Sequence, residues 1–250
     1  MVQNSVEHLM EQESPFTCGV ILSGGRSSRF GRNKALAMLK GRPVIEHVAD
    51  IMSRVFGRAL MLVTNTPDEY EFLSMPMVAD LIPGHGPLSG LHAAMESLAQ
   101  GNVRFDSGMV PDRVFMVACD MPVLNPRLIK WMVRLSEPAS LVIPEVGGRL
   151  QPLHAIYHLS LRQIIREMME QGSYRIGTLV DRVPGRIIGE QEVMAVLAGE
   201  KRGGVVGALH EPSRPDPFLL PFYNVNTVDD LEILDTLIKE DRAAVSKSHG

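Results

Sequence analysis

The sequence predicts an α/β fold, with an open and mostly parallel sheet between helices on both faces. Three observations carry that expectation. Short apolar runs alternate with stretches of helical period, giving the rhythm strand, helix, strand, helix. The strongest run, Val114-Phe-Met-Val-Ala-Cys119, is apolar at successive positions, as a strand buried on both faces must be. Four runs also close on small, amide or acidic residues. In an open parallel sheet such residues share the carboxyl rim, where ligands bind.

The elements follow in order. Cys18-Gly-Val-Ile-Leu22 is a buried strand that ends in Ser-Gly-Gly. After the turn at Gly41-Arg-Pro43, Ile45, Val48, Ala49, Met52 and Val55 repeat at helical spacing. Ala59–Val63 is the second strand and Met77–Ala79 a weaker third, ending at Asp80. A loop containing Gly84-His-Gly-Pro-Leu-Ser-Gly90 leads into a helix through Leu91, Ala94, Met95 and Leu98. Beyond the strand 114–119, a helix covers Leu128 to Leu135, and strands cover Ser140 to Ile143 and Leu153 to Tyr157. Helices follow around Leu161–Met169 and Thr178–Val183. Residues 101–113 read as a surface insertion and 199–221, rich in Gly, Pro and charge, as a long mobile loop. The expected organisation is a flexible N-terminal extension (1–16), one domain (17–242) and a C-terminal tail (243–250).

Composition removes several function classes. At 250 residues, 45% hydrophobic and 22% charged, the chain has the balance of an ordinary globular protein. Its net charge of −4 argues against a general nucleic-acid binder. The polar N-terminal segment lacks the apolar stretch of a signal peptide, and no run approaches the ~18 apolar residues of a membrane span. Cys18 and Cys119 have no metal-ligand spacing and read as buried free thiols in a reducing cytoplasm. His154 and His158 lie in a predicted strand without the context of a metal site.

The chemistry-bearing residues cluster after the strands. Leu22-Ser-Gly-Gly-Arg-Ser-Ser-Arg-Phe-Gly-Arg-Asn-Lys34 offers the bare amides of Gly24 and Gly25. It also places four cations, Arg26, Arg29, Arg32 and Lys34, within nine residues. One charge pair 4 Å apart contributes about 4 kcal/mol at an effective dielectric of 20, so several cations suit a triphosphate. Counted from Gly25, the second glycine comes one residue late for a Walker A loop, and the spacing is not GxGxxG either. The alternative is a surface loop with solvated arginines. Asp120, where the central strand meets the rim, suits a hard oxygen ligand for Mg²⁺; a helix cap or a salt bridge to an arginine are the other readings. Asp80 either hydrogen-bonds a base or ribose or caps its turn. Asn224 and Asn226, two apart in an extended segment, can point at one ligand, while Thr227 suits a helix N-cap.

Four motifs in order, Leu22–Arg29 with Lys34, Asp80 with Gly86-Pro-Leu-Ser-Gly90, Cys119-Asp-Met-Pro122 and Asn224-Val-Asn-Thr227, resemble the molybdenum cofactor guanylyltransferases. These are MobA-like nucleotidyltransferases. The resemblance implies a Rossmann-like, three-layer α/β/α nucleotidyltransferase fold of GT-A-like type. It implies Mg²⁺-dependent transfer of GMP from GTP to molybdopterin, with pyrophosphate released. It assigns nucleotide binding to Leu22, Ser23, Gly24, Gly25, Lys34, Asn65, Asp80 and Asp120, catalysis to Lys34, Asp120 and Arg29, and the metal to Asp120. Gln151, Pro152, Asn224 and Asn226 fall on the pterin side. Molybdoenzymes or cofactor-delivery proteins are the expected transient partners. The competing readings are transfer of CMP, synthesis of a nucleotide-sugar, a nucleotide-binding protein without turnover, and an interaction module for molybdoenzymes.

Overall fold

Residues 14–24, 33–82, 84–106, 108–199 and 217–247 are described by a computed structural model. β1 (Thr17–Ser23) is buried along its whole length, because it lies between two strands and under helices on both faces. A short hairpin, β2 (Met38–Leu39) and β3 (Arg42–Pro43), precedes α1 (Val44–Phe56). α1 is rich in β-branched residues, each costing a few tenths of a kcal/mol in helix propensity. It buries Val44, Ile45, Val48 and Met52 completely, at about 2 kcal/mol each, so packing decides the conformation. Gly57, at φ 59°, ends it.

The core continues with β4 (Leu60–Thr64), β5 (Met77–Val78), α2 (Pro87–Ala99), β6 (Arg113–Ala118) and α3 (Pro126–Leu135). Then come β7 (Leu141–Val146), β8 (Arg149–Leu150), β9 (His154–His158), α4 (Arg162–Glu170) and α5 (Gly177–Val180). β10 (Gly185–Ile188), α6 (Glu190–Ala198) and α7 (Val228–Lys247) complete it. The main sheet runs β10-β7-β9-β6-β1-β4-β5, with β8 on β7. β1 is parallel to both β4 and β6, as is β5 to β4 and β10 to β7, whereas β9 is antiparallel to both its neighbours.

Alternation along the strands divides the core into two layers. Ile21, Phe115 and Val117 meet α1, α3 and α6 on one face. Cys18, Val20, Val114 and Met116 meet α2, α4 and α5 on the other. This is the expected three-layer arrangement. α2 approaches β1 so closely that a Cβ on Gly90 would stand 2.3 Å from Leu22 Cδ1, which accounts for a glycine there. Gly86 precedes the helix at φ 81° and Pro87 fills its first turn, where a missing N–H costs nothing.

Several details differ from the sequence reading. The helix expected over Thr178–Val183 is the single turn α5, which stops short of Pro184. β10, exposed at three of its four positions on the sheet edge, carries no apolar run to betray it. Most of the loop expected over 199–221 lies outside the described residues, but Pro217–Phe222 forms a 3-10 helix that buries Leu220 and Phe222. α7 extends to Lys247, past residue 242. The N-terminal segment 1–13 is outside the described residues.

His154 on β9 is fully buried between Phe115 and Phe222, with ring centroids 5.1 and 4.7 Å away, and neither ring nitrogen has a hydrogen-bond partner among the described residues. Burial depresses its pKa from 6.5 to about 3. Between those values the unfolded chain binds a proton that the folded chain refuses, so stability falls as pH falls, by about 1.4 kcal/mol per pH unit. His154→Leu is expected to lose this acid sensitivity. Urea unfolding from pH 7.5 to 4.5 should show the variant gaining on wild type below about pH 6.5; parallel curves would show His154 to be uninvolved.

Candidate active site

The site forms where the register of the sheet brings three strand ends together. β1 pairs Leu22 with Ala118 of β6 and Ser23 with Thr64 of β4, so Gly24, Asn65 and Cys119-Asp120 leave the sheet at one rim. The Cys119 N–H donates to the Leu22 carbonyl at 3.1 Å, extending the β1–β6 ladder by one step.

Asp120 is 4% exposed. Its Oδ2 takes an ion pair from Lys34 Nζ, and Oδ1 is buried with no hydrogen-bond partner among the described residues. Lys34 opens a 3-10 turn, Lys34–Leu36, and its ammonium also donates to Asn226 Oδ1 at 3.2 Å. The Val225 N–H donates to the Asp120 carbonyl at 2.8 Å, which ties the segment before α7 to the end of β6. The salt-bridge reading of Asp120 is therefore realised for one oxygen, with lysine as its partner in place of arginine.

The orphaned Oδ1 bears on metal binding. A buried carboxylate oxygen without a donor is costly unless a cation approaches it. That fits a hard divalent ion completed by water and phosphate oxygens. Among the described residues no three His, Cys, Asp or Glu side chains converge, so most ligands of such an ion would come from outside the protein.

Beside this cluster lies a cleft of about 340 Å³ lined by Ser23, Gly24, Asn33, Lys34, Asn65, Thr66, Glu69, Tyr70 and Cys119. Gly24 is exposed, and among the described residues nothing lies within 4 Å of where its Cβ would stand. None of the described residues thus requires glycine there, whereas a close ligand would. The Cys119 thiol is pushed up to about 12 by burial and then by Asp120, and stays protonated at neutral pH. A larger groove of about 700 Å³, involving Arg42, Asp50, Arg58, Phe72 and Arg104, holds none of the described residues expected from sequence. Arg42 and Arg58 in it pair with neighbouring acids.

Asn65 and Asp80 come together. The Asn65 Oδ1 accepts from the Asp80 N–H at 3.0 Å, and Asp80 Oδ1 accepts from the Ile82 N–H at 3.0 Å and from the Ser89 hydroxyl. One oxygen of Asp80 thus holds the turn into α2. Leu22 contributes its buried side chain and its carbonyl, and Ser23 Oγ donates to the Tyr70 hydroxyl at 2.6 Å. Asn224 and Asn226 do not point the same way. The segment turns between the 3-10 helix and α7, so Asn224 Nδ2 donates to the Phe222 carbonyl at 3.1 Å while Asn226 faces Lys34. Thr227 Oγ1 accepts from the Asp230 N–H at 3.2 Å, the cap expected of it. Gln151 and Pro152 precede β9, whose first residue pairs with Val117, so they stand at the same rim. Gln151 Nε2 donates to the Arg149 carbonyl at 3.3 Å, and the Pro152 carbonyl accepts from Tyr157. Gly25 and Arg29 lie outside the described residues. Glu69 and Tyr70 carry no local signal in the sequence, whereas Asn33 flanks Lys34 and Ser89 lies within the Gly86–Gly90 motif.

A carboxylate and a lysine at the carboxyl rim, beside a cleft that Gly24 helps to line on a mostly parallel α/β sheet, match the class of nucleotidyltransferase domains. The chain belongs to the MobA-like NTP transferase family, whose sequence profile matches residues 19–184. It is 30% identical to the molybdenum cofactor guanylyltransferase of Desulfosudis oleivorans over 90% of this chain and 96% of that protein. It is 32% identical to a probable molybdenum cofactor guanylyltransferase of Carboxydothermus hydrogenoformans, over 72% of this chain and 85% of the relative. Among solved structures, molybdopterin-guanine dinucleotide biosynthesis protein A from Archaeoglobus fulgidus superposes with a TM-score of 0.67 at 22% identity, covering 89% of this chain and 98% of that one. The 2-C-methyl-D-erythritol 4-phosphate cytidylyltransferase of Thermus thermophilus shares the fold at TM-score 0.55 and 12% identity, over 88% and 98% of the two chains. Among the described residues no helix is long and apolar enough to cross a membrane.

Proposed function

We infer that this protein transfers GMP from GTP to molybdopterin, forming the guanine dinucleotide cofactor and releasing pyrophosphate. The Lys34–Asp120–Asn226 cluster beside the cleft, in a chain of this family, carries the reading. A terminal phosphate oxygen of the pterin attacks the α-phosphorus; the new O–P bond forms as the bond to the β-phosphate oxygen breaks, and pyrophosphate leaves. The nucleophile is already ionised, so no covalent enzyme intermediate is required. Catalysis is then positioning and charge neutralisation.

Lys34, held at the rim by Asp120 and Asn226, supplies a positive charge against the departing pyrophosphate. Asp120 Oδ1 is the atom we assign to Mg²⁺, which when bound neutralises phosphate charge as a Lewis acid. Gly24 and Gly25 amides and Arg29 belong to the triphosphate side, Asn65 and Asp80 to the guanosine side, and Gln151, Pro152, Asn224 and Asn226 to the pterin side. Residues 17–242 act in this proposal as one domain, since a single sheet carries both core layers. Two buried free thiols fit a cytoplasmic setting. Because the product must pass onward, transient contact with molybdoenzymes or delivery proteins is part of the same reading.

Titrating GTP, CTP, UTP and ATP with Mg²⁺ while following thermal unfolding tests it. GTP is expected to stabilise most, by about 2.7 kcal/mol at a hundredfold excess over Kd. Pyrophosphate should appear once the pterin is added. Equal or stronger stabilisation by CTP would overturn the guanylyl assignment.

A further inference from the structure

Both stems of the glycine-rich segment meet at one phenol. The segment leaves β1 at Ser23 and returns at Asn33, and both side chains hydrogen-bond the Tyr70 hydroxyl, Ser23 Oγ at 2.6 Å and Asn33 Nδ2 at 2.7 Å. Tyr70 belongs to the 3-10 helix Pro67–Leu73 and is 1% exposed; burial holds its pKa above the ordinary phenol value, so the hydroxyl stays protonated. A buried aromatic ring is a poor candidate for movement, because the packed interior fixes it in one rotamer.

Asn33 passes that constraint on. Its Nδ2 also donates to Glu69 Oε2 at 2.5 Å, and its Oδ1 accepts from the Ala35 N–H at 3.1 Å, capping the turn that Lys34 opens. The next side chain along is the one that reaches Asp120 and Asn226. A rigid post in the helix after β4 is thus linked to the Lys34 backbone by one hydrogen bond and one peptide unit.

We propose that Tyr70 is a positioning residue of the nucleotide site: its hydroxyl pins the two stems of the glycine-rich segment together and, through Asn33, sets where the Lys34 ammonium stands. The consequence for nucleotide binding rests on the transferase reading above; the pin itself does not. A tyrosine serving the core alone would lose some stability on conversion to phenylalanine and change nothing at the stems or at Lys34.

Tyr70→Phe keeps the ring and removes the oxygen. Limited trypsin digestion, with peptides identified by mass spectrometry, reads the stems directly. Cleavage after Arg26, Arg29 and Arg32 should become several-fold faster, while cleavage after Arg58, an exposed arginine in the larger groove, should not change. Affinity for GTP with Mg²⁺ should fall about tenfold, the scale of one or two lost hydrogen bonds. In a Lys34→Ala background the same substitution should cost less than about threefold, because the group being positioned is gone. Asn33→Ala, which leaves the Tyr70 ring untouched, should reproduce the pattern if Tyr70→Phe folds poorly. Unchanged cleavage and affinity in a folded variant would overturn the proposal, as would an equal affinity loss in both backgrounds. Faster stem cleavage in Tyr70→Phe, with no GTP binding by the wild type, would support the pin and remove the transferase reading instead.

Discussion

Asp120→Ala is expected to lower turnover at least a hundredfold, about 2.7 kcal/mol or more of barrier, with the fold intact. The residue is buried, one oxygen meets Lys34, and the other has no partner among the described residues. Alanine removes the oxygen assigned to the metal and the anchor of the lysine together. Asp120→Asn separates size from charge, because it keeps the volume and loses the negative charge. If charge is what matters, Asn should be nearly as inactive as Ala. Pyrophosphate release from GTP and the pterin, measured at saturating Mg²⁺, gives the answer. Turnover near wild type in either variant would remove Asp120 from the chemistry.

Lys34→Ala should act on both binding and stability. GTP affinity is expected to fall by tenfold or more, since in the proposed function the lysine ammonium is the charge that meets the triphosphate. The variant also leaves Asp120 as a buried charge without its cation. Removing one partner of a fully buried pair costs about 3–5 kcal/mol; Lys34 keeps 28% of its side-chain exposure, so the loss should be smaller, about 1–3 kcal/mol. The double variant Lys34→Ala/Asp120→Ala should recover much of that loss, since no unpaired charge remains. A four-member unfolding cycle measures the coupling. Additive losses would mean that the pair is not coupled in solution, and unchanged GTP affinity in Lys34→Ala would remove the lysine from the nucleotide site.

Much of the architecture was legible because burial on two faces leaves a plain mark. β1, β4 and β6 are unbroken apolar runs, and such runs have few places to go other than the middle of a covered sheet. β10 left no such mark, since an edge strand buries only Ile188. The antiparallel direction of β9 was equally invisible: its apolar core Ala155–Tyr157 suits either direction, and the loop through Gln151 decides it. In the site, Asp120 stood out as an acid closing the most apolar strand. Tyr70 had no comparable signal, being one of two aromatics in an acidic stretch, with a role that depends on residues far along the chain.

Local composition and period were enough to specify the alternation of buried strands and amphipathic helices, the glycine-rich segment after β1 and the acid after β6. Both act over a few residues. It took the folded sheet to show that Lys34 reaches across 86 positions to Asp120 and across 192 to Asn226, and that Asn224 turns away from them. Those contacts depend on strand register and on the direction of individual side chains. Register is set by the packing of the whole sheet, so no stretch of residues read alone contains it.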